Sequence, residues 1–439
     1  MSQALRQNSD LPTALRDARE AYVARNPNSL ARHIEALAHM PGGNTRTVLH
    51  YAPFPLGFTR GEGCLLWDLD GHRYVDFLGE YTAGLYGHSH PVIRAALDRA
   101  LDRGISLGGH NMTEARFAAA VCARFPSIER VRFTNSGTEA NLLAIATACA
   151  VTGRDQVMVF AGAYHGSVFT FSPDGGKLNA PFDFVVAPYN DVDATLALVE
   201  HHADRLAAIV LEPMMGGGGC IPAEIPFQQA LRGAASRVGA LLIFDEVMTS
   251  RLAPAGLQSL TGVMPDLTTL GKYVGGGMSF GAFGGRADIM NRFDPRRPDA
   301  LSHAGTFNNN VLTMAAGHAG LTEVYTPAAA VALNAMGESL RDRINALFRA
   351  HDAPLQATGL GSMLALHTTP DPIRSPEDAA KADPALKELL FFDLLAKGIW
   401  IARRGMMALS LPIGPAECDH LVAALTDFVE TRAPLFARA

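Results

Sequence analysis

Apolar runs of three to six residues recur through the middle of this chain, separated by longer stretches with helical spacing. The runs fall at 131–134, 156–160, 182–187, 207–211, 241–244 and 282–284, most of them rich in Val, Ile, Leu and Phe. Continuous apolar runs of this length predict strands buried on both faces of a sheet. Helical spacing fills gaps between them, for example over 139–150 and over 226–238, where Pro226 takes the first helical position. Strand and helix in alternation predict an α/β fold, a mainly parallel sheet with helices on both faces.

The two ends of the chain have a different texture. Residues 11–40 set apolar positions at helical spacing between charges, which predicts an amphipathic helix stopped by Pro41-Gly42-Gly43. Segment 44–55 has no clean period and reads as an extended arm, while 62–77 alternates around Asp70-Gly71, a hairpin signal. A helical pattern runs from 91 to about 121 with Gly108-Gly109 as an interruption, and two more follow over 311–325 and 327–349. Short strand candidates at 362–367, 400–402 and 407–411 precede a closing helix over 417–431. The expected division is an N-terminal helix, arm and hairpin (1–75), a large domain (76–330), and a smaller α+β domain (331–439) against which the N-terminal part packs.

Composition narrows the partners. A chain of 439 residues with 48% hydrophobic and 18% charged residues is globular and too long for one ordinary core. A net charge of −6 without a basic stripe gives no reason to expect nucleic acid or an anionic membrane. The five cysteines are scattered and form no CxxC pair, as in a reducing compartment. The first residues lack the apolar core of a signal peptide, and apolar stretches such as 142–146 are far too short to span a membrane. A cytoplasmic protein is expected. His88 and His90, and the pair His201-His202, have no further ligands at metal spacing, so no metal site is expected.

The chemistry concentrates in 241–277. One apolar run meets Asp245; another, ending Leu270-Gly271, meets Lys272 and then three glycines. Ligands in open α/β sheets sit beyond the carboxyl ends of the strands. A carboxylate and an amine there suit pyridoxal phosphate, whose aldehyde condenses with a lysine and whose ring nitrogen stays protonated beside a carboxylate. Ser136-Gly137-Thr138 follows a strand and opens a helix, offering amides and hydroxyls to the phosphate. An ordinary Ser136 N-cap with Glu139 as its capping acid is the competing reading. Tyr164, between Gly162 and Gly166, is expected to stack on the ring, with His165 packed nearby and without acid–base work. Glu212, closing the run AAIVLE, contacts the cofactor, orients a neighbour or makes an ion pair at the rim.

Taken together, RGEGCLLWDLDGHRYVDF, TNSGTEAN, GAYHG, LLIFDEVMTSR, LTTLGKYVGGGMSFGAFGGR and GTFNNN resemble the class III, fold-type I pyridoxal-phosphate aminotransferases along nearly the whole chain. With MPGGNTR and YAPFPL near the start, the chain is most similar to the aromatic β-amino-acid (β-phenylalanine) aminotransferases. The resemblance implies that Lys272 carries the cofactor and moves the proton, Asp245 pairs with the ring nitrogen, and Val247 packs on the ring face opposite Tyr164. Ser136, Gly137 and Thr138 hold the phosphate, and Thr306 reaches it from a partner subunit, so a homodimer with shared active sites is expected. Arg46 and Arg404 bind carboxylates of the amino donor and of a 2-oxo acid acceptor, 2-oxoglutarate or pyruvate; Arg251 and Arg403 are structural. Tyr51, Phe54 and Tyr81 are candidate apolar walls. Met248 stands where many of the class carry Gln, as in glutamate-1-semialdehyde aminomutases. That keeps an aminomutase, or an ω-amine aminotransferase of the same class, as the alternative.

Overall fold

The computed structural model describes residues 10–173 and 175–436. Its centre is a seven-stranded sheet formed by β1 (Arg130–Thr134), β2 (Gln156–Phe160), β3 (Asp183–Ala187), β4 (Leu206–Leu211), β5 (Leu241–Asp245), β6 (Leu267–Gly271) and β7 (Gly281–Gly285). The spatial order is β1-β7-β6-β5-β4-β2-β3, and β7 alone runs against its neighbours.

Both faces of the sheet are covered, and alternate residues divide between them. Met158, Phe160, Ile209, Leu211, Leu242 and Phe244 pack with Phe227 and Leu231 of the helix Ile225–Val238. The intervening Val157, Val159, Ala208, Val210, Leu241 and Ile243 pack with Ala140, Ala144 and Ile145 of the helix Gly137–Thr152. Strands buried on two sides must be apolar at every position, which is why they stand out in the sequence.

Several predicted elements are adjusted. The first helix is two, Leu11–Arg25 and Pro27–Leu37, because Pro27 has no N–H to continue the first. The next is also two, Pro91–Leu101 and Met112–Arg124. Pro226 is the second helical residue, after Ile225 and the Glu224 cap. The helix from Val311 is α-helical to Ala319 and then opens into a π-turn, Gly320–Val324. Helix Pro384–Ala396 escaped the pattern because eight of its 13 residues are buried, in runs that go round the helix and leave no single apolar stripe.

Beyond the large sheet, strands Gln356–Leu360, Met363–His367 and Met406–Ala408 form an antiparallel sheet. The predicted hairpin is Leu65–Asp68 with Arg73–Asp76, flanked by Phe58–Glu62 and by Ile399–Trp400 from near the carboxyl end. The Asp70 carboxylate accepts from the Asn28 and Ser29 amides, tying the turn to helix Pro27–Leu37. Tyr51 and Phe54 are buried against Tyr22, Phe391 and Phe392, so they anchor the arm instead of lining a substrate wall. Among the described residues no helix is long and apolar enough to cross a membrane.

Candidate active site

Five strands of the sheet end on one edge, and each delivers a candidate residue there. Ser136 comes two residues after β1, Tyr164 four after β2 and Glu212 one after β4; Asp245 closes β5 and Lys272 follows β6. The register sets Asp245 beside Thr269, so Lys272 lies three residues further along the adjacent strand. Lys272 has left-handed backbone, φ 52°. Such a conformation is uncommon for a side-chain-bearing residue and marks a functional constraint. Among the described residues its ammonium has neither an ion pair nor a hydrogen bond. Burial pulls its pKa below the ordinary lysine value; Arg46 and Arg404 act the same way, while Asp245 and Glu80 oppose them.

Asp245 is buried and fully engaged. Its Oδ2 accepts from Asn141 Nδ2 and lies against His165 Nδ1, each at 2.8 Å, and its Oδ1 accepts the Val247 amide at 3.0 Å. Thr269 hydroxyl donates to Asn141 Oδ1 at 2.7 Å, so the amide that holds the carboxylate is itself held. Burial works against a charged His165, but the bond and charge of Asp245, with Glu212 beyond, outweigh it and raise the imidazole pKa. Sequence reasoning gave His165 only a packing role; its contact with Asp245 joins a loop to a strand end 80 residues away and left no local signal. His165 Nε2 is buried and has no protein partner.

Ser136 is the N-cap of Gly137–Thr152, accepting the Glu139 amide at 3.2 Å. The competing cap reading therefore holds for its side chain, yet Glu139 reaches past the cap to the Asn135 amide at 2.7 Å. The amides of Gly137 and Thr138, in the first helical turn, have no carbonyl of their own helix to bind. Gly166 (φ 125°) packs so close to this turn that a Cβ there would lie 2.3 Å from Thr138 Oγ1. A Cβ on Gly281 would lie 2.0 Å from Ser136 O. Both glycines let backbone close around the turn. Val247 sits against it too, its two methyls 2.9 Å from where a Gly137 Cβ would be.

Among the described residues Glu212 makes no ion pair at the rim. Its buried carboxylate accepts the amides of Tyr164 at 2.9 Å and Gly216 at 3.1 Å, binding the Tyr164 loop to the sheet. Burial raises its pKa strongly, against the pull of His165. Tyr164 itself is half exposed toward the cleft. Met248 packs its thioether on Gly216.

The two arginines meet over one ring. Arg404 lies 5.0 Å and Arg46 5.6 Å from the centre of Tyr81, whose hydroxyl donates to Val48 O. Arg46 is also paired with Glu80, both half exposed. Tyr81 belongs to a turn in which Gly79, Glu80, Tyr81 and Thr82 all have positive φ. Glu80 carried no signal in the sequence. Arg251 is fully buried, bonded to Ser362 Oγ and Leu409 O, and Arg403 faces Glu388; both are structural. Thr306 lies on an exposed turn, and Asn308 of that turn bonds Asn135 at 3.0 Å. His88 bonds Asp76 and His90 caps the helix Pro91–Leu101.

The family model for aminotransferase class-III matches residues 49–429. The chain is 54% identical over 427 residues to a beta-phenylalanine transaminase from Variovorax paradoxus, covering 97% of this chain and 98% of that one. It is 37% identical to a glutamate-1-semialdehyde 2,1-aminomutase from Rhodopirellula baltica, over 87% of this chain and 90% of that one. Among solved structures, a beta-phenylalanine aminotransferase from Variovorax paradoxus superimposes with a TM-score of 0.95 at 53% identity, covering 97% and 99% of the two chains. A transaminase with PLP bound gives a TM-score of 0.85 at 32% identity, covering 94% and 98%. The matched span, these identities and the strand-end geometry lead to one conclusion: the chain belongs to the class-III aminotransferases.

Proposed function

We propose that this enzyme uses pyridoxal phosphate to move the amine of an aromatic β-amino acid, such as 3-amino-3-phenylpropanoate, to a 2-oxo acid. The observation that carries the reading is the meeting of an unpaired lysine, a buried carboxylate and two guanidinium groups at one sheet edge. The residues suit the cofactor. Lys272 supplies a free amine, Asp245 a buried anion, and the turn of Gly137 and Thr138, cradled by Gly166 and Gly281, supplies amides for a phosphate. When bound, that cofactor supplies an electrophilic aldehyde and a ring that takes up the electrons released at the substrate carbon.

The chain's own residues do the rest. Lys272 would hold the aldehyde, and its amine, once free, would take the proton from the amine-bearing carbon of the substrate. A depressed pKa favours the neutral amine this requires. Asp245, fixed by Asn141 and paired with His165, would hold a protonated ring nitrogen by charge pairing. Tyr164 and Val247 would hold the ring, and Ser136 would offer its amide or hydroxyl to the phosphate. Glu212 orients the Tyr164 loop. Arg46 and Arg404 grip carboxylates, for which a guanidinium offers two parallel bonds. Two such groups on separate segments suit two substrates in which amine and carboxylate lie at different separations.

A homodimer is part of the proposal. Leu101, Ile105, Leu107, Met112 and Phe307 are exposed, and Asn309 bonds Gly109 O and Glu114, which joins the two segments into one apolar surface beside Thr306. Such a patch calls for a partner, and Thr306 would reach the phosphate of that copy. A cytoplasmic location accords with the five unpaired cysteines. Met248, standing where many of the class carry Gln, keeps the aminomutase as a second reading.

Turnover of 3-amino-3-phenylpropanoate with 2-oxoglutarate or pyruvate should yield 3-oxo-3-phenylpropanoate and the matching amino acid. No product with any 2-oxo acid, together with conversion of glutamate-1-semialdehyde in the absence of an acceptor, would replace this reading with the aminomutase.

A further inference from the structure

The two arginines proposed to grip substrate rest on one turn, and its backbone is unfavourable. Glu80 (φ 47°, ψ 43°) and Tyr81 (φ 53°, ψ 48°) are left-handed, between Gly79 at φ 53° and Thr82 at φ 81°. A turn of left-handed helix is costly for residues with a Cβ, and persists only where its surroundings over-determine it. This turn sets Glu80 against Arg46 and the Tyr81 ring beneath both Arg46 and Arg404. The Tyr81 hydroxyl, donating to Val48 O, also fastens the segment that bears Arg46.

A buried carboxylate holds the turn. Asp76 ends the strand Arg73–Asp76 and is 5% exposed. Its Oδ1 accepts the Leu78 and Gly79 amides, each at 3.0 Å, which fixes the chain where it enters the turn. Its Oδ2 lies 3.1 Å from His88 Nε2, on the chain that leads away from the turn. One carboxylate thus ties the entry of the turn to its exit. His88 is itself fixed: its amide donates to Gly63 O at 2.8 Å, and a Cβ on Gly61 would lie 2.5 Å from its ring. Gly79 has no room to shift, since a Cβ there would lie 2.5 Å from Ala408 O. Removing the Asp76 carboxylate leaves two buried amides without an acceptor, and with them go bonds that offset the torsional cost.

We infer that Asp76, oriented by His88, is a positioning residue for carboxylate substrates: by holding the left-handed turn it sets Tyr81 and Glu80, and through them Arg46 and Arg404. The inference rests on the carboxylate-binding role proposed for the two arginines and extends it to a residue that acts only through them.

A released turn leaves a fraction of molecules competent to grip a carboxylate, and apparent affinity falls by that fraction. Calorimetric titration of the holoenzyme with 3-phenylpropanoate, an unreactive acid, reads this. Asp76→Ala should raise the dissociation constant roughly tenfold. Asp76→Asn, which keeps an oxygen for the two amides, should stay within about twofold of wild type. His88→Ala leaves both amide bonds in place and should weaken binding about threefold; it carries the test where Asp76→Ala does not fold.

A merely structural role is separated in the donor half-reaction, followed without acceptor by loss of the cofactor's visible absorbance. The half-saturating concentration of 3-amino-3-phenylpropanoate should rise with the 3-phenylpropanoate constant. That of 1-phenylethylamine, which has no carboxylate, should not move. Equal shifts for both amines, or 3-phenylpropanoate binding unchanged in the folded variants, would overturn the positioning role. Arg46→Ala and Arg404→Ala keep this apart from the reading it rests on. Unchanged 3-phenylpropanoate binding in them as well removes the arginines from the site and Asp76 with them, whereas a loss confined to them removes Asp76 alone.

Discussion

The Asp245 side of the cleft and the Arg46 side are built in opposite ways. Asp245 is buried, sits on a central strand, and is held by Asn141, His165 and the Val247 amide, with Thr269 behind Asn141. Every partner comes from the large sheet, from the helix Gly137–Thr152 or from a loop adjoining them. Arg46, Glu80 and Arg404 come from three distant parts of the chain, are joined by one exposed ion pair and one shared aromatic ring, and lie open to the cleft. A network closed to water preorganises one fixed charge. An exposed pair is weak and can be exchanged, as a site that must take two differently shaped substrates in turn requires.

Substitutions on each side break or sharpen this contrast. The largest effect belongs to Lys272→Ala, which should remove the visible absorbance of lysine-bound cofactor and lower turnover by roughly 10³-fold or more. Residual turnover near wild type would dismiss the lysine assignment. Next come Arg46→Ala and Arg404→Ala. Each should raise the KM for one carboxylate partner by roughly 10- to 100-fold while kcat changes little; unaltered constants for both partners would remove the arginines from the site.

Glu80→Gln should act in the reverse sense. Without the competing carboxylate, Arg46 is freer, and the KM for a β-amino acid should fall by about two- to fivefold. An amine lacking a carboxylate, such as 1-phenylethylamine, should be indifferent, and an equal change for it would show Glu80 to be merely structural. The smallest effect is on stability. The His165 pKa is raised in the fold, so its pairing with Asp245 contributes fully below the unfolded value of about 6.5 and is lost as pH rises through the folded value. The melting temperature of His165→Asn should therefore trail wild type most in acid, with a gap that closes at alkaline pH.

What the sequence disclosed follows the same division. Strands buried on two faces are apolar throughout, and their ends carried Asp245, Lys272 and Glu212, so this half of the site was legible from local pattern. β6 was seen only in its last two residues because Thr268 and Thr269 interrupt the apolar run. The partners of Asp245 were not legible, since Asn141 and His165 are ordinary loop or helix residues until the fold sets them beside it. On the other side, Arg46 and Arg404 were reached through family resemblance alone. Glu80 left no trace, because what distinguishes it is a countercharge from a distant part of the chain. Tyr51 and Phe54 misled for the converse reason: an aperiodic aromatic segment looks the same whether it lines a cleft or fastens an arm to the core.

The φ of 52° at Lys272 carries a consequence for anyone reshaping this protein. Glycine or asparagine would rest there with less torsional penalty, so random selection for heat resistance in the absence of vitamin-derived ligand would drift toward discarding the amine. Thermal screens on this scaffold therefore have to be run with the coenzyme present, so that what is rewarded is endurance of the working catalyst and not of an inert shell.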